Sequence, residues 1–137
     1  MTALITFEAI RAGRLDPAKA VAVSGTAVRA PGARMFLAAA QQVAVGDLLR
    51  GLIVVSANDA AVALAEAVAG SEAAFVARMN AQAARMGLAN THFENATGQP
   101  VAGHHASARD LAVLAQALVR DFPEHYTLYS QKEFTFN

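Results

Sequence analysis

The chain has 137 residues, enough for one domain with its own core and too few for two of ordinary size. Eleven Lys and Arg balance eleven Asp and Glu, so net charge selects neither nucleic acid nor an anionic membrane as partner. With no Cys, a disulfide framework, a thiolate metal site and a thiol nucleophile are all excluded.

Hydrophobic residues make up 55%, but 34 residues are Ala and only 16% are charged. That balance fits a thinly padded helical protein with part of its surface covered, and argues against disorder. From Thr2 to Ala12 the apolar residues Ala3, Leu4, Phe7 and Ile10 recur at helical spacing, with Glu8 and Arg11 on another face and Gly13 as a stop. No Ser, Asp or Asn cap precedes Met1, so the chain is expected to open inside a helix. Glu8 interrupts the apolar stretch and no basic region precedes it, so this segment does not read as a signal peptide.

After a turn at Asp16-Pro17, Val21 and Val23 alternate with small residues as a short strand closed by Ser24-Gly25. Residues 25–35, with Pro31 and Gly32, read as an irregular connection. A helix from about Asp47 to Val55 is apolar on nearly all sides and is expected to be buried. The next runs from about Asn58 to Ala69 and ends at Gly70. Ser71 caps a further helix with Phe75, Val76, Met79, Ala83 and Met86 on one face and Arg78, Gln82 and Arg85 opposite. Ser107-x-x-Asp110 has capping-box spacing, with Leu111, Leu114, Ala115 and Leu118 predicted as the apolar stripe behind it. Residues 132–137 alternate polar and aromatic like a half-buried strand. Asp47, Arg50, Asp59 and Glu66 break every apolar run before it reaches the roughly 18 residues of a membrane span.

The leading site candidate is Ser56-Ala57-Asn58, between two predicted helices. A hydroxyl and a carboxamide two residues apart on a loop can face one cleft, the first passing a proton and the second orienting a substrate amide. The plainer reading is that Ser56 or Asn58 caps the following helix, and spacing alone leaves both open. Four His residues raise a metal site, but His104 and His105 are adjacent and no His-x-x-x-His pair falls on a predicted helix, so no metal or other cofactor is expected. His92 fits a structural hydrogen bond, and Arg109-Asp110 a helix start.

Several segments together resemble serine-type D-alanyl-D-alanine carboxypeptidases, the low-molecular-mass penicillin-binding proteins of the peptidase S11 family. They are Leu49 through Ala60, Phe75 through Asn80, Met86-Gly87-Leu88, Asn90-Thr91-His92-Phe93, His105 through Ala112 and Lys132 through Phe136. That family's chemistry uses Ser-x-x-Lys, Ser-x-Asn and Lys-Thr-Gly. Only Ser-x-Asn is present; Lys19 and Lys132 have no Ser three places earlier and no Thr-Gly after them. The resemblance therefore implies a partial, penicillin-binding catalytic domain truncated at both ends. Its fold is expected to be α+β and predominantly helical, the helix-rich part of the β-lactamase/transpeptidase-like fold.

By the same resemblance, Ser56 relays a proton to the leaving D-alanine nitrogen and Asn58 holds the substrate amide. The parent enzyme would act on peptidoglycan stem peptides, bind β-lactams, and lie in the periplasm or at the outer face of the cytoplasmic membrane. The chain alone is expected to be inactive, without nucleic-acid partners. It is expected to self-associate or swap elements, because missing strands leave backbone groups near Val21 and Phe134 unpaired. Two alternatives remain: a class A β-lactamase-like hydrolase using Glu94, although Gly98 stands where those enzymes have Asn, and a non-enzymatic helical interaction module built on the Ala-rich helices.

Overall fold

A computed structural model describes residues 1–136. The first helix, α1 (Thr2–Arg11), buries seven of its ten residues. It therefore runs through the interior and not along a surface as an amphipathic helix. Its two buried hydroxyls are satisfied: Thr2 donates to the Ala96 carbonyl at 2.7 Å and Thr6 to the Thr2 carbonyl at 2.8 Å. Phe7, with 0% exposure, stacks on His125 at 4.3 Å and leans on Phe122 at 5.6 Å. Arg11 closes the end of the helix by donating to the Asp121 carbonyl while lying over the Phe122 ring.

The strand expected at Val21 forms as β1 (Ala20–Ala22), and its partner is β2 (Gln42–Ala44), antiparallel with Val21 opposite Val43. One edge of β1 is thus paired, while its other edge has no strand beside it among the described residues, as the expectation of unpaired backbone near Val21 requires. Between the strands, a short helix α2 (Gly25–Val28) replaces part of the predicted irregular connection, because the Ser24 hydroxyl accepts from Ala27 N–H at 3.0 Å.

Helix α3 (Val45–Val54) buries Val45, Leu48, Leu49 and Gly51, whereas Leu52, Ile53 and Val54 are only half-buried, less than their apolarity suggests. Helix α4 (Asn58–Ala69) is buried over its first eight residues and stops at Gly70, whose φ of 85° is the left-handed conformation that glycine adopts at least cost. Ala side chains let α4 lie close to α1, α3 and α5. Helix α5 (Glu72–Arg85) starts at the predicted Ser71 cap and turns Phe75, Met79 and Ala83 inward. Gln82 joins that face, because its amide donates to the Glu8 carboxylate at 2.9 Å.

Helix α6 (Ala108–Asp121) begins at Ser107 as predicted, but the stripe differs. Leu114 and Ala117 are buried, whereas Leu111 is 51% exposed and Ala115 is also exposed. The capping box is half made. Asp110 N–H donates to the Ser107 hydroxyl, while the Asp110 carboxylate turns away to accept from Asn90 N–H at 2.8 Å and the Thr91 hydroxyl at 2.7 Å. Helix α7 (Pro123–Tyr126) and a 3-10 turn (Thr127–Ser130) follow. Residues 132–136 keep the predicted alternation, with Phe134 and Phe136 half-buried, but among the described residues they pair with no strand; Asn137 lies outside the described residues. No single helix among the described residues is long and apolar enough to cross a membrane.

The connection from α5 to α6 is irregular but pinned. Asn80 grips Phe93 in both directions, through its amide to the carbonyl at 2.8 Å and its oxygen from the N–H at 2.9 Å; His92 and His105 form an isolated bridge, and Glu72 accepts from Ala96 N–H. The Thr91 hydroxyl first, with Asn90 N–H and Ser107 helping, holds the Asp110 carboxyl below its ordinary value. A carboxyl depressed in the folded state contributes stability above its unfolded pKa and loses it as pH falls through the folded one. Asp110→Asn is therefore expected to lower the thermal midpoint at pH 7, with the gap to wild type beginning to close below about pH 4, where the unfolded carboxyl protonates first, and closing fully only below the lower folded pKa.

Candidate active site

Val54 ends α3, and the chain must reverse within three residues to begin α4. It does so through Ser56, which sits at φ +56° in the left-handed region with its side chain exposed. For a non-glycine residue that conformation costs on the order of 1–3 kcal/mol and persists only where the surroundings fix it. They do here: Ala57, fully buried, donates its N–H to the Gly51 carbonyl at 3.0 Å, and Asn58 N–H donates to the Ala33 carbonyl at 2.7 Å.

This geometry removes the cap reading of the motif. The caps of α2, α5 and α6 are made by the hydroxyls of Ser24, Ser71 and Ser107, but the N-cap of α4 is Ala57 and no side chain caps it. Neither Ser56 nor Asn58 is a cap. The Ser56 hydroxyl has no hydrogen-bond partner among the described residues. Asn58, 6% exposed, donates one Nδ2 proton to the Pro31 carbonyl at 2.6 Å, and its Oδ1 has no donor among the described residues. A hydroxyl and a carbonyl oxygen are thus left available two residues apart, the one exposed and the other recessed.

The segment over Asn58 has two requirements that sequence reasoning did not anticipate. Gly32 has φ +88°, and a Cβ there would stand 2.7 Å from both the Asn58 and the Gln99 side-chain nitrogens, so only glycine lets the loop lie this close. Asp59, 1% exposed, accepts from Met35 N–H at 3.0 Å and Leu37 N–H at 3.1 Å, and from Ala60 N–H at 2.9 Å. From sequence, Asp59 was only a charge interrupting an apolar run. Its position after Ser-x-Asn was a signal, but its partners lie 22 and 24 residues away.

A cleft of about 360 Å³ lies on the other side of this loop, lined by Arg29, Pro31, Asn95, Thr97 and Gln99, and neither Ser56 nor Asn58, expected to face one cleft, is among its lining residues. Its far rim is shaped by Asn95, whose oxygen accepts from Thr97 N–H and Gly98 N–H and whose amide donates to the Gln99 carbonyl. Glu94, the residue a β-lactamase reading would use, is engaged elsewhere: its carboxylate pairs with His92 at 3.0 Å. Among the described residues no group of three His, Cys, Asp or Glu is placed to hold a metal.

Residues 1–137 match the family described as peptidase S11, D-alanyl-D-alanine carboxypeptidase. The D-alanyl-D-alanine carboxypeptidase DacA of Escherichia coli strain K12 is 41% identical over 143 residues, covering the whole chain and 36% of that protein. Penicillin binding protein 5 from Haemophilus influenzae superposes with a TM-score of 0.96 at 40% identity, over 99% of this chain and 40% of that one. Penicillin-Binding Protein D2 from Listeria monocytogenes, in its cefotaxime bound form, superposes at 0.82 and 27% identity, over 99% of this chain and 56% of that one. The fold is therefore that of the penicillin-binding proteins, and the chain belongs to the D-alanyl-D-alanine carboxypeptidase family. It spans about a third of the length of the curated relatives it matches.

Proposed function

We propose that residues 1–137 form the helical, Ser-x-Asn-bearing part of a serine-type D-Ala-D-Ala carboxypeptidase domain that removes the terminal D-alanine of peptidoglycan stem peptides outside the cytoplasm. The observation that carries this is the pair itself: a free Ser56 hydroxyl on a left-handed turn beside an Asn58 whose Oδ1 is unclaimed. Family membership over the whole chain supports the reaction class.

In that reaction a serine oxygen supplied from outside these residues bonds to the penultimate carbonyl carbon, and the bond to the D-alanine nitrogen breaks. A base also supplied from outside these residues takes the attacking hydroxyl's proton, Ser56 relays a proton from that base to the departing nitrogen, and Asn58 accepts from, or donates to, the substrate's backbone amide. Water then releases the acyl group. β-Lactams enter by the same acylation, and the cefotaxime bound form of the Listeria relative supports their inclusion. The chain alone has neither Ser-x-x-Lys nor Lys-Thr-Gly, so it supplies positioning and proton transfer without a nucleophile. Self-association of isolated chains through the unpaired 132–136 segment belongs to the same proposal, and light scattering reads it as a mass that rises with concentration.

The test is a chimaera in which this chain replaces the matching 143-residue segment of Escherichia coli DacA. The chimaera is expected to release D-alanine from a D-Ala-D-Ala peptide and the isolated chain to release none. A folded chimaera without activity, or an active isolated chain, would overturn the proposal.

A further inference from the structure

Asn58 works only if its amide is held in one orientation, and the atoms holding it belong to an irregular loop. Pro31 takes the side-chain proton and Ala33 the backbone proton, yet neither lies in a helix or strand that would fix it. A few residues on, Phe36 is 81% exposed and sits at φ +60°, a conformation a bulky side chain avoids. Something must hold this loop against its own strain. The N–H groups on either side of that strained residue, Met35 and Leu37, both point at the two oxygens of one carboxylate, Asp59.

We propose that Asp59 is a positioning residue for the Ser-x-Asn site: by clamping Met35 and Leu37 it fixes the 31–37 loop, which in turn sets the orientation of the Asn58 amide. Asp59 follows Asn58 directly on the rigid first turn of α4, so loop and amide are tied to one element from opposite ends. A carboxylate buried to this degree needs hydrogen bonds, and three backbone N–H groups provide them. The missing Cβ at Gly32 lets the loop lie against Asn58, so a small displacement of the loop reaches the amide directly.

The proposal rests on the functional reading above, but its first test is independent of activity. In the 137-residue chain, Asp59→Asn keeps the volume and one acceptor while facing an NH₂ toward one of the two loop N–H groups. By NMR, backbone exchange at Met35, Leu37 and Asn58 is expected to accelerate at least tenfold, and the Asn58 side-chain NH₂ resonances to move toward those of a free carboxamide. Amides of α5 and α6 keep their rates. Unchanged Asn58 resonances alongside faster Met35 and Leu37 exchange would overturn the proposal, because the clamp would then stop at the loop. Uniform acceleration throughout the chain would overturn it equally, as global loosening. In the DacA chimaera the same substitution is expected to lower kcat at least tenfold with KM within twofold, and Asp59→Glu to recover part of it; a rise in KM alone would contradict the proposal. An inactive parent chimaera would count against the functional reading only, and the NMR result would still decide the role of Asp59.

Discussion

Ser56→Ala in the DacA chimaera is expected to reduce D-alanine release by 10²–10⁴-fold, the range for losing a positioned proton-transfer group, while leaving the fold intact. The expectation follows from what the side chain does not do. Its hydroxyl caps no helix and bonds to no described residue, so its removal leaves no buried partner unsatisfied. Alanine also keeps the left-handed backbone strained as serine does. Ser56→Gly separates the two properties further. Glycine relaxes a φ of +56°, so the unfolding midpoint should equal or exceed that of wild type while activity is lost as in the alanine variant. A stabilised but inactive variant is the behaviour of strain held at a working site. Ser56→Ala with activity within a few-fold of wild type would remove Ser56 from the mechanism.

Phe7→Ala is expected to destabilise the 137-residue chain by about 3–5 kcal/mol, a large share of the stability of an ordinary domain. The ring is fully buried on the interior helix α1 and holds the region of α7 through His125 and Phe122. Urea titration reads the loss directly. A change below about 1 kcal/mol would mean that α1 is peripheral to the core, contrary to its burial.

What was legible in the sequence was mostly local. The caps at Ser71 and Ser107, the stop at Gly70 and the span of α4 each depend on a handful of adjacent residues, and each stands where it was predicted. The pairing of Val21 with Val43 joins residues 22 apart through backbone groups that carry no residue signature, so β1 was seen and β2 was not. Helix α6 misled for a related reason. Its periodicity identified a helix correctly, but which apolar side faces inward depends on where Phe122 and α1 lie, and Leu111 was assigned to the wrong side.

The site divides in the same way. Ser56 and Asn58 were readable as a motif, because the family resemblance preserves their spacing. That neither residue caps α4 was not readable, since it turns on the φ of one residue and on Ala57 serving as the N-cap. Asp59 and Gly32 were hidden more deeply. One acts on backbone N–H groups more than twenty residues earlier, and the other acts by lacking an atom.

The proposal rests on one division of labour, in which these residues would shape and proton-couple the site and the attacking oxygen would come from outside them. Intact-mass spectrometry after incubation with a labelled penicillin tests it most directly. The account predicts an unmodified 137-residue chain and a single stoichiometric adduct on the DacA chimaera. An adduct on the chain alone, or none on a chimaera shown to be folded, would contradict it.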